Sequence, residues 1–158
     1  LQDAGKQFGL SKFGLYATES MRLEKGYLHW KADIIDEFNP LEAGLDRFVK
    51  MEKNFVGKQA LEAAKAKGPG KLLVSLEVDC AEASAHGGDP VFHKGKQVGV
   101  VTSGGFGHRI NKNLAYAYVD PELASEGQAL ICRVIGEDCM ATVVPKGLYD
   151  PQNLLVRS

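Results

Sequence analysis

The sequence has few of the residue patterns that mark disulfide-rich and zinc-binding proteins. Its 158 residues include three cysteines, Cys80, Cys132 and Cys139, without C-x-x-C spacing. An odd number without that spacing predicts neither a disulfide scaffold nor a zinc site. Free cysteines in or beside strands are most often small buried hydrophobes, and a reducing compartment is the default.

Motifs of several enzyme classes are also missing. The four histidines, His29, His86, His93 and His108, show no metal-ligand spacing, and H-E-x-x-H does not occur. There is no G-x-S-x-G segment, which argues against a serine hydrolase of the α/β-hydrolase type. The glycine-rich run 104–108 does not match G-x-x-x-x-G-K-[ST], so we interpret it as a tight turn between strands, with Thr102 and Ser103 bonding its backbone.

Charge of one sign and long apolar runs are absent as well. Nineteen basic residues stand against twenty acidic ones, with no basic cluster, which argues against nucleic-acid and anionic-membrane partners. No apolar run approaches the roughly 18 residues that span a bilayer. The length of 158 residues and the hydrophobic content of 44% suit one ordinary domain or two small lobes. We expect a cytoplasmic protein, in keeping with the reducing compartment.

The first seventy residues favour extended segments and short helices. Residues 13–26 are predicted to be extended, with Arg22 and Glu24 on one face of a strand. Asn39 is a plausible N-cap and Glu42 follows three residues later, as in a capping box, so we predict a helix from Pro40. Its apolar face would hold Leu41, Leu45, Phe48 and Val49.

A second helix is predicted from about Gly57 to Lys67, with Ala60, Leu61 and Ala64 as its buried stripe. After Gly70 the periodicity changes to alternation. Leu72, Val74, Leu76 and Val78 alternate with polar and apolar neighbours, as in a strand buried on one face. A hairpin with Lys94-Gly95 at its turn follows, and the last two strands join through Gly136-Glu137. About six strands between residues 71 and 145 suit a small barrel or sandwich.

Several segments, in one order, resemble a single family. The most diagnostic are Glu19–Tyr27, Trp30–Ile34 and Asn39–Leu45, which resemble S-L-R-[LI]-E-x-G-x-x-x-[WY]-G-x-[DE]-[IL] followed by T-P-x-E-[AG]-x-L. This is the pattern of the aminomethyltransferase family, which includes the glycine cleavage T-protein and the carboxy-terminal folate-dependent regions of sarcosine and dimethylglycine dehydrogenases. The likeness continues at Phe55–Leu61, Gly99–Gly105, Leu114–Val119 and Tyr149–Asn153.

The resemblance implies an α+β chain, with a short helical and extended lobe followed by a six-stranded antiparallel Greek-key β-barrel. Residues 1–70 would be the end of the folate-binding region with linking helices, and residues 71–158 the carboxy-terminal barrel domain. We expect the chain to be a carboxy-terminal fragment whose catalytic acid lies before Leu1. The 158 residues alone are then expected to be inactive.

The resemblance also implies a function for the parent protein. It would transfer a one-carbon unit from an amine derived from glycine, sarcosine or dimethylglycine to tetrahydrofolate, in the cytoplasm or, in a eukaryote, the mitochondrial matrix. FAD would occur only in an upstream domain. The implied partners are folate, the small amine and the missing amino-terminal region. The alternative is a non-catalytic folate-binding or scaffolding module attached to a flavin-dependent amine oxidoreductase.

Two residues are predicted to bind the cofactor. Arg22 matches an arginine that contacts folate in relatives, and a guanidinium suits a folate carboxylate. The alternative is an ion pair with Glu24 or another acid. Trp30, the only tryptophan, could stack on a folate ring, or be an ordinary core or lobe-interface residue. The resemblance leaves a minor ligand role open for Phe106 and His108.

One position departs from the family pattern. Lys31 lies where relatives usually have glycine. Because glycine permits backbone conformations and close approaches that other residues do not, the backbone at this position is in question.

Overall fold

A computed structural model describes residues 1–157 and shows four helices and six strands in that range. No helix among these residues is long and apolar enough to cross a membrane. The elements in chain order are α1 (Gln2–Gly5), α2 (Leu15–Lys25), α3 (Lys58–Lys67), β1 (Leu72–Asp79), β2 (Pro90–His93), β3 (Lys96–Gly107), β4 (Lys112–Val119), β5 (Ala129–Val134), β6 (Glu137–Val144) and α4 (Leu154–Arg157).

The six strands form a closed barrel in the order β1-β4-β3-β2-β5-β6, and every pair is antiparallel. Strands β2, β3 and β4 follow one another through short connections. Strand β1 precedes them, is joined to β2 by the long loop 80–89 and pairs with β4. Three consecutive strands with a fourth paired to the far one define a Greek key. The predicted fold class is therefore confirmed.

The hairpin between β2 and β3 turns at Lys94-Gly95, as predicted. Both turn residues have positive φ, +50° and +77°, which is the backbone of a type I′ turn. The hairpin between β5 and β6 turns at Ile135-Gly136, one residue earlier than predicted.

The barrel strand β1 is buried on both faces, which corrects the prediction of one buried face. Val74, Leu76 and Val78 point into the barrel core, as expected from their alternation. Leu73 on the opposite face belongs to a second apolar cluster on the outside of the barrel, with Leu23, Leu114, Tyr116 and Tyr118. Residues before Gly70 pack on that outer face. Because both faces of β1 are covered, the alternation of its residues did not reveal that the outer face is buried.

The prediction of an extended segment at residues 13–26 is wrong. Leu15–Lys25 is helix α2, which begins after Gly14 and ends at Gly26, whose N–H bonds to the carbonyls of Arg22 and Leu23. Successive residues of a helix are about 100° apart, so Arg22 and Glu24 point to nearly opposite sides, whereas in a strand they would share a face.

The capping box at Asn39 forms, but the helix it was expected to start is a single turn. Asn39 Oδ1 accepts hydrogen bonds from the N–H groups of Leu41 and Glu42, and Glu42 Oε2 accepts one from the Asn39 N–H. Gly44, with φ of +68°, ends the turn through bonds from Gly44 N to Leu41 O and Leu45 N to Pro40 O. This is a Schellman stop, and a 3-10 turn at Asp46–Phe48 follows.

Helix α3 confirms the prediction for Gly57 to Lys67. Its buried stripe is narrower than expected: Leu61 is buried, Ala64 is half-buried and Ala60 is exposed. The helix is therefore a peripheral element that contributes one large side chain to the core.

Candidate functional site

Helix α2 lies against β3, and glycines on β3 allow this close packing. A Cβ atom at Gly107 would lie 2.9 Å from Glu24 Cγ, and one at Gly105 would lie 3.3 Å from Leu23 Cδ1. Ser20 Oγ donates to the Phe106 carbonyl at 2.7 Å. The interpretation of residues 104–108 as a turn is therefore wrong for residues 104–107, which belong to strand β3. The glycines there have no side chain that would keep helix α2 away from the strand.

Glu24 holds the end of this strand and does not pair with Arg22. Its Oε1 accepts hydrogen bonds from the N–H groups of Arg109 and Ile110, at 2.6 and 3.1 Å. The side chain is buried on the barrel face of α2. The alternative for Arg22 was an ion pair with Glu24 or another acid. The pair with Glu24 is wrong, because the helix directs the two side chains to different surroundings, whereas a pair with another acid is confirmed.

Arg22 pairs instead with Asp33 and Glu19. Its Nη1 donates to Asp33 Oδ2 at 2.7 Å and to the Tyr27 carbonyl at 3.2 Å, and its Nε donates to Glu19 Oε2 at 2.7 Å. Nη2 lies 2.6 Å from the same Glu19 oxygen. It nevertheless makes no hydrogen bond among the described residues. Nη2 is thus ion-paired with Glu19 but has no hydrogen bond of its own.

Asp33 is the centre of the polar network, and the sequence analysis did not identify it as a site residue. Its carboxylate is completely buried, and Oδ1 accepts hydrogen bonds from the hydroxyls of Thr102 and Ser103 at 2.5 Å each. Oδ2 accepts from Arg22 and from the His29 N–H at 2.8 Å. Thr102 and Ser103 therefore bond this acid and not a turn backbone. Asp33 matches the acidic position of the family pattern, three residues after Trp30, and this match could have identified it as a site residue.

Two tyrosines of β4 border this network. Burial, and then the nearby Asp33 carboxylate, raise the pKa of Tyr116, whereas Arg22 acts in the opposite direction. Burial, Asp33 and Glu42 raise the pKa of Tyr118 to about 12, and its hydroxyl donates to the Asp33 carbonyl at 3.0 Å. Both tyrosines therefore stay neutral at physiological pH.

A groove of about 520 Å³ opens beside Arg22 and is called the Arg22 groove below. Helix α2, the turn at residues 29–32, the loop 83–87 and strand β3 form its walls. The lining side chains that matter here are Tyr16, Glu19, Arg22, His86, Phe106 and His108. Its volume is within the range of about 300 to 1,000 Å³ that is typical of small-molecule sites.

A larger cavity, of about 760 Å³, lies between the segment 31–38 and β3. Phe38 and Tyr118 form part of its wall, with stacked rings 3.6 Å apart between centroids. Its Lys71 ammonium is already bonded to the Val98 carbonyl and to Asp120 Oδ1. Two buried polar atoms in residues 1–157 make no hydrogen bond, and neither of their residues, Arg22 and Tyr116, lines this cavity. The Arg22 groove is therefore the better candidate site.

The predicted site residues differ in their surroundings. Arg22 lines the groove, and so do Phe106 and His108, whose rings meet edge to face at 5.1 Å between centroids. Trp30 is not among the groove's lining residues. Its indole is 66% exposed, so it is not a core residue of the chain as described. The structure therefore does not bring Arg22 and Trp30 into one cavity.

Lys31 has a backbone conformation that glycine adopts more readily than lysine. Its φ is +70°, in the left-handed region, which costs a residue with a Cβ atom about 1–2 kcal/mol. We expect Lys31→Gly to raise the free energy of unfolding by up to about 1 kcal/mol, since glycine's extra chain entropy offsets part of the gain. Urea unfolding measures this. Lys31→Ala is the control, and a gain as large as that of Lys31→Gly would show that loss of the lysine side chain, not backbone relief, is responsible.

Comparison with known proteins agrees with this fold. The sequence matches two protein-family models. Residues 71–150 match the glycine cleavage T-protein C-terminal barrel domain, and residues 1–53 match the GCVT N-terminal domain. The crystal structure of glycine cleavage system aminomethyltransferase T from Bartonella henselae superposes with a TM-score of 0.81 at 30% identity, covering 87% of this chain and 39% of that one. The chain therefore belongs to the glycine cleavage T-protein, or aminomethyltransferase, family, as the sequence motifs predicted.

Individual relatives are of two kinds. Mitochondrial dimethylglycine dehydrogenase of Rattus norvegicus is 40% identical over 150 residues, which are 94% of this chain and 18% of that protein. An aminomethyltransferase of Desulfitobacterium hafniense is 37% identical over 152 residues, which are 95% of this chain and 41% of that protein. The chain thus spans less than half the length of these relatives.

Proposed function

We propose that the protein containing this chain transfers a one-carbon unit from an amine to tetrahydrofolate. Residues 1–70 would form the end of its folate-binding region and residues 71–158 its carboxy-terminal barrel domain. Family membership supports this proposal, and the observation that carries it is the buried Arg22 guanidinium beside the groove, whose Nη2 contacts Glu19 but makes no hydrogen bond. When bound, tetrahydrofolate supplies the nitrogen that accepts the one-carbon unit.

The groove residues fit part of a folate molecule. The tail of folate ends in carboxylates, and the edge of a guanidinium formed by Nε and Nη2 suits a carboxylate. Tyr16 and Phe106 add aromatic surface to the same groove, on which a flat ring can stack. In this proposal Arg22 holds the folate tail, and Trp30 stays a predicted ring contact outside the groove.

Glu19 determines how a ligand carboxylate can reach Arg22. Its Oε2 occupies the Nε and Nη2 edge, but its side chain is 38% exposed, whereas Asp33 on the other edge is completely buried. Arg22, Asp33 and Glu19 together carry one excess negative charge, which opposes an anionic ligand. We infer that the ligand carboxylate takes the place of Glu19 while Asp33 stays fixed.

Replacing Glu19 in the intact protein tests this directly. Glu19→Gln removes the competing charge and keeps an oxygen acceptor for Nε, so we expect tetrahydrofolate to bind about 3- to 10-fold more tightly, equivalent to about 1 kcal/mol. Calorimetric titration provides the measurement. Glu62→Gln is the matched control, because Glu62 is an exposed helical acid beside a lysine and does not line the groove.

The ligand and the activity provide further controls. A tetrahydropterin without the aminobenzoylglutamate tail should bind equally well to the Glu19→Gln variant and to the unmutated protein, since it has no carboxylate for Arg22. Weaker folate binding by Glu19→Gln, or the same change in Glu62→Gln, would refute the assignment of Arg22 to the tail. Tight folate binding without turnover of glycine-, sarcosine- or dimethylglycine-derived donors would instead identify a non-catalytic folate module.

The compartment and a second cofactor belong to the proposal too. We propose the cytoplasm or, in a eukaryote, the mitochondrial matrix, a choice that the mitochondrial name of the rat relative supports. FAD is proposed only for a preceding domain of a dehydrogenase-like parent.

A further inference from the structure

The three cysteines, far apart in the sequence, lie in one row across neighbouring strands. Cys132 and Cys139 are directly opposite each other in the ladder of β5 and β6. The ladder of β1 and β6 ends with Asp79 opposite Met140, and the residues that come next, Cys80 and Cys139, both line one small cavity. Cys132 and Cys139 belong to the buried barrel core, and Cys80 packs against that core. Cys139 therefore has a thiol neighbour on each side.

The spacing across antiparallel strands suits a disulfide. Directly opposite residues such as Cys132 and Cys139 have Cα atoms about 4.5–5.5 Å apart, within the roughly 4.4–6.8 Å that a disulfide requires. Cys80 lies one residue beyond the ladder of β1 and β6. All three thiols are free. Cys80 and Cys139 also line one small cavity of about 90 Å³, which Cys132 does not line.

We propose that Cys80 and Cys139 are a modification site, at which thiol–disulfide exchange with a low-molecular-weight disulfide forms a reversible cross-strand bond. Cys80 is the point of attack because it is half-buried, whereas Cys132 is completely buried. Cys80 also follows the last residue of β1 and begins the loop 80–89, so a bond to Cys139 involves no residue of the ladder of β1.

The exchange has two steps. The Cys80 thiolate attacks one sulfur of the small disulfide, whose S–S bond breaks, so that a mixed disulfide forms on Cys80 and one small thiolate leaves. The Cys139 thiolate then attacks the Cys80 sulfur, and the second small thiolate leaves as the bond between the two cysteines forms. The protein loses two electrons and two protons, and the oxidant gains them as two small thiols.

The surroundings of Cys80 make this reaction slow at neutral pH. Burial is the main cause that raises its pKa to about 12, with further contributions from the Cys139 thiol, Cys132 and Asp79. Glu82 and Glu137 line the same cavity and add negative charge. Because only the thiolate attacks, the rate should rise about tenfold per pH unit below that pKa. The site is therefore suited to slow oxidation, not to rapid sensing.

A disulfide between Cys80 and Cys139 would anchor the first residue of the loop 80–89, which forms one wall of the Arg22 groove. The loop that begins at Cys80 carries Ser84 and His86 along the groove. Ser84 Oγ and the Cys80 carbonyl both bond to the Asn113 side chain. Oxidation would attach this loop to β6 covalently. The inference depends on the barrel alone and stands whether or not the groove binds folate.

The test is oxidation of the full 158-residue chain with oxidised glutathione at a series of pH values from about 7 to about 9. Intact mass should fall by two hydrogen atoms, with a rate that rises about a hundredfold over this range. A non-reducing peptide map should show the peptide of Cys80 linked to that of Cys139. Dithiothreitol should reverse both changes.

Single variants separate the two steps. Cys139→Ala should stop at the mixed disulfide, with a mass gain of one glutathionyl group on Cys80, whereas Cys132→Ala should still lose two hydrogen atoms. A peptide that links Cys132 to Cys139, a mass loss that persists in Cys80→Ser, or no mass loss at any pH would overturn the proposal. The peptide map of the unmodified sequence decides the matter even where a variant does not fold.

Discussion

Replacing Arg22 by alanine is expected to lower the free energy of unfolding by about 3–5 kcal/mol, because it leaves a buried carboxylate without its cation. Asp33 is completely buried, and Arg22 Nη1 donates to its Oδ2 at 2.7 Å. The hydroxyls of Thr102 and Ser103 remain as donors to Oδ1, but they carry no charge. Arg22 is thus first a structural residue, whatever ligand it also contacts.

Urea unfolding of the variant measures this loss, and Arg133→Ala is the matched control. Arg133 also pairs with an aspartate, Asp138, but both side chains are largely exposed, so its replacement should change stability little. Asp33→Asn in the Arg22→Ala background should recover part of the loss, since it removes the unpaired charge. Equal losses for Arg22→Ala and Arg133→Ala would mean that the two hydroxyls and the His29 N–H suffice to hold Asp33.

The second large effect is expected at the end of helix α2. Gly26 has φ of +77°, and a Cβ atom there would lie 2.7 Å from Gly147 N and 3.0 Å from Gly147 Cα. These are backbone atoms, which cannot rotate away. We expect Gly26→Ala to lower the free energy of unfolding by about 2–5 kcal/mol, from about 1–2 kcal/mol for the left-handed backbone and about 1–3 kcal/mol for the overlap.

Gly95 provides a matched control, because it has the same φ of +77° and nothing within 4 Å of an added Cβ atom. Gly95→Ala should show only the cost of the backbone conformation. The difference between the two variants in urea unfolding then measures the contact between α2 and the segment after β6, which the bond from Tyr149 N to the Glu24 carbonyl also joins. If the two variants lose equal stability, that segment moves aside and the contact is not tight.

The barrel could be predicted from the sequence because its signals are local. Each strand has its own alternation of residues, and Lys94-Gly95 indicates a turn, since a type I′ hairpin requires positive φ and glycine adopts it easily. The capping box at Asn39 was also legible, because it involves residues three positions apart. In contrast, the apolar periodicity predicted a longer helix than the single turn that forms. Gly44, with its positive φ, ends this turn, and the periodicity of the apolar residues does not reveal that.

Helix α2 shows why part of the site could not be predicted. Its sequence mixes apolar and polar residues, and it packs on a strand whose glycines were interpreted as a turn. The choice of partner for Arg22 followed from this error, because a strand places Glu24 beside it and a helix does not. Asp33 was not recognised because its hydrogen-bond donors, Thr102 and Ser103, lie about seventy positions later in the chain.

The sequence by itself determined the family, the six-stranded barrel and Arg22 as a residue of interest. These follow from motifs in order and from alternation within short segments, neither of which requires knowledge of distant contacts. Only the tertiary structure decided that Asp33 is the partner of Arg22, that Glu19 covers the remaining edge of its guanidinium, and that three scattered cysteines form one row. The reason is physical: burial, charge pairing and thiol proximity depend on which strands become neighbours, and barrel closure brings together residues that are far apart in the chain.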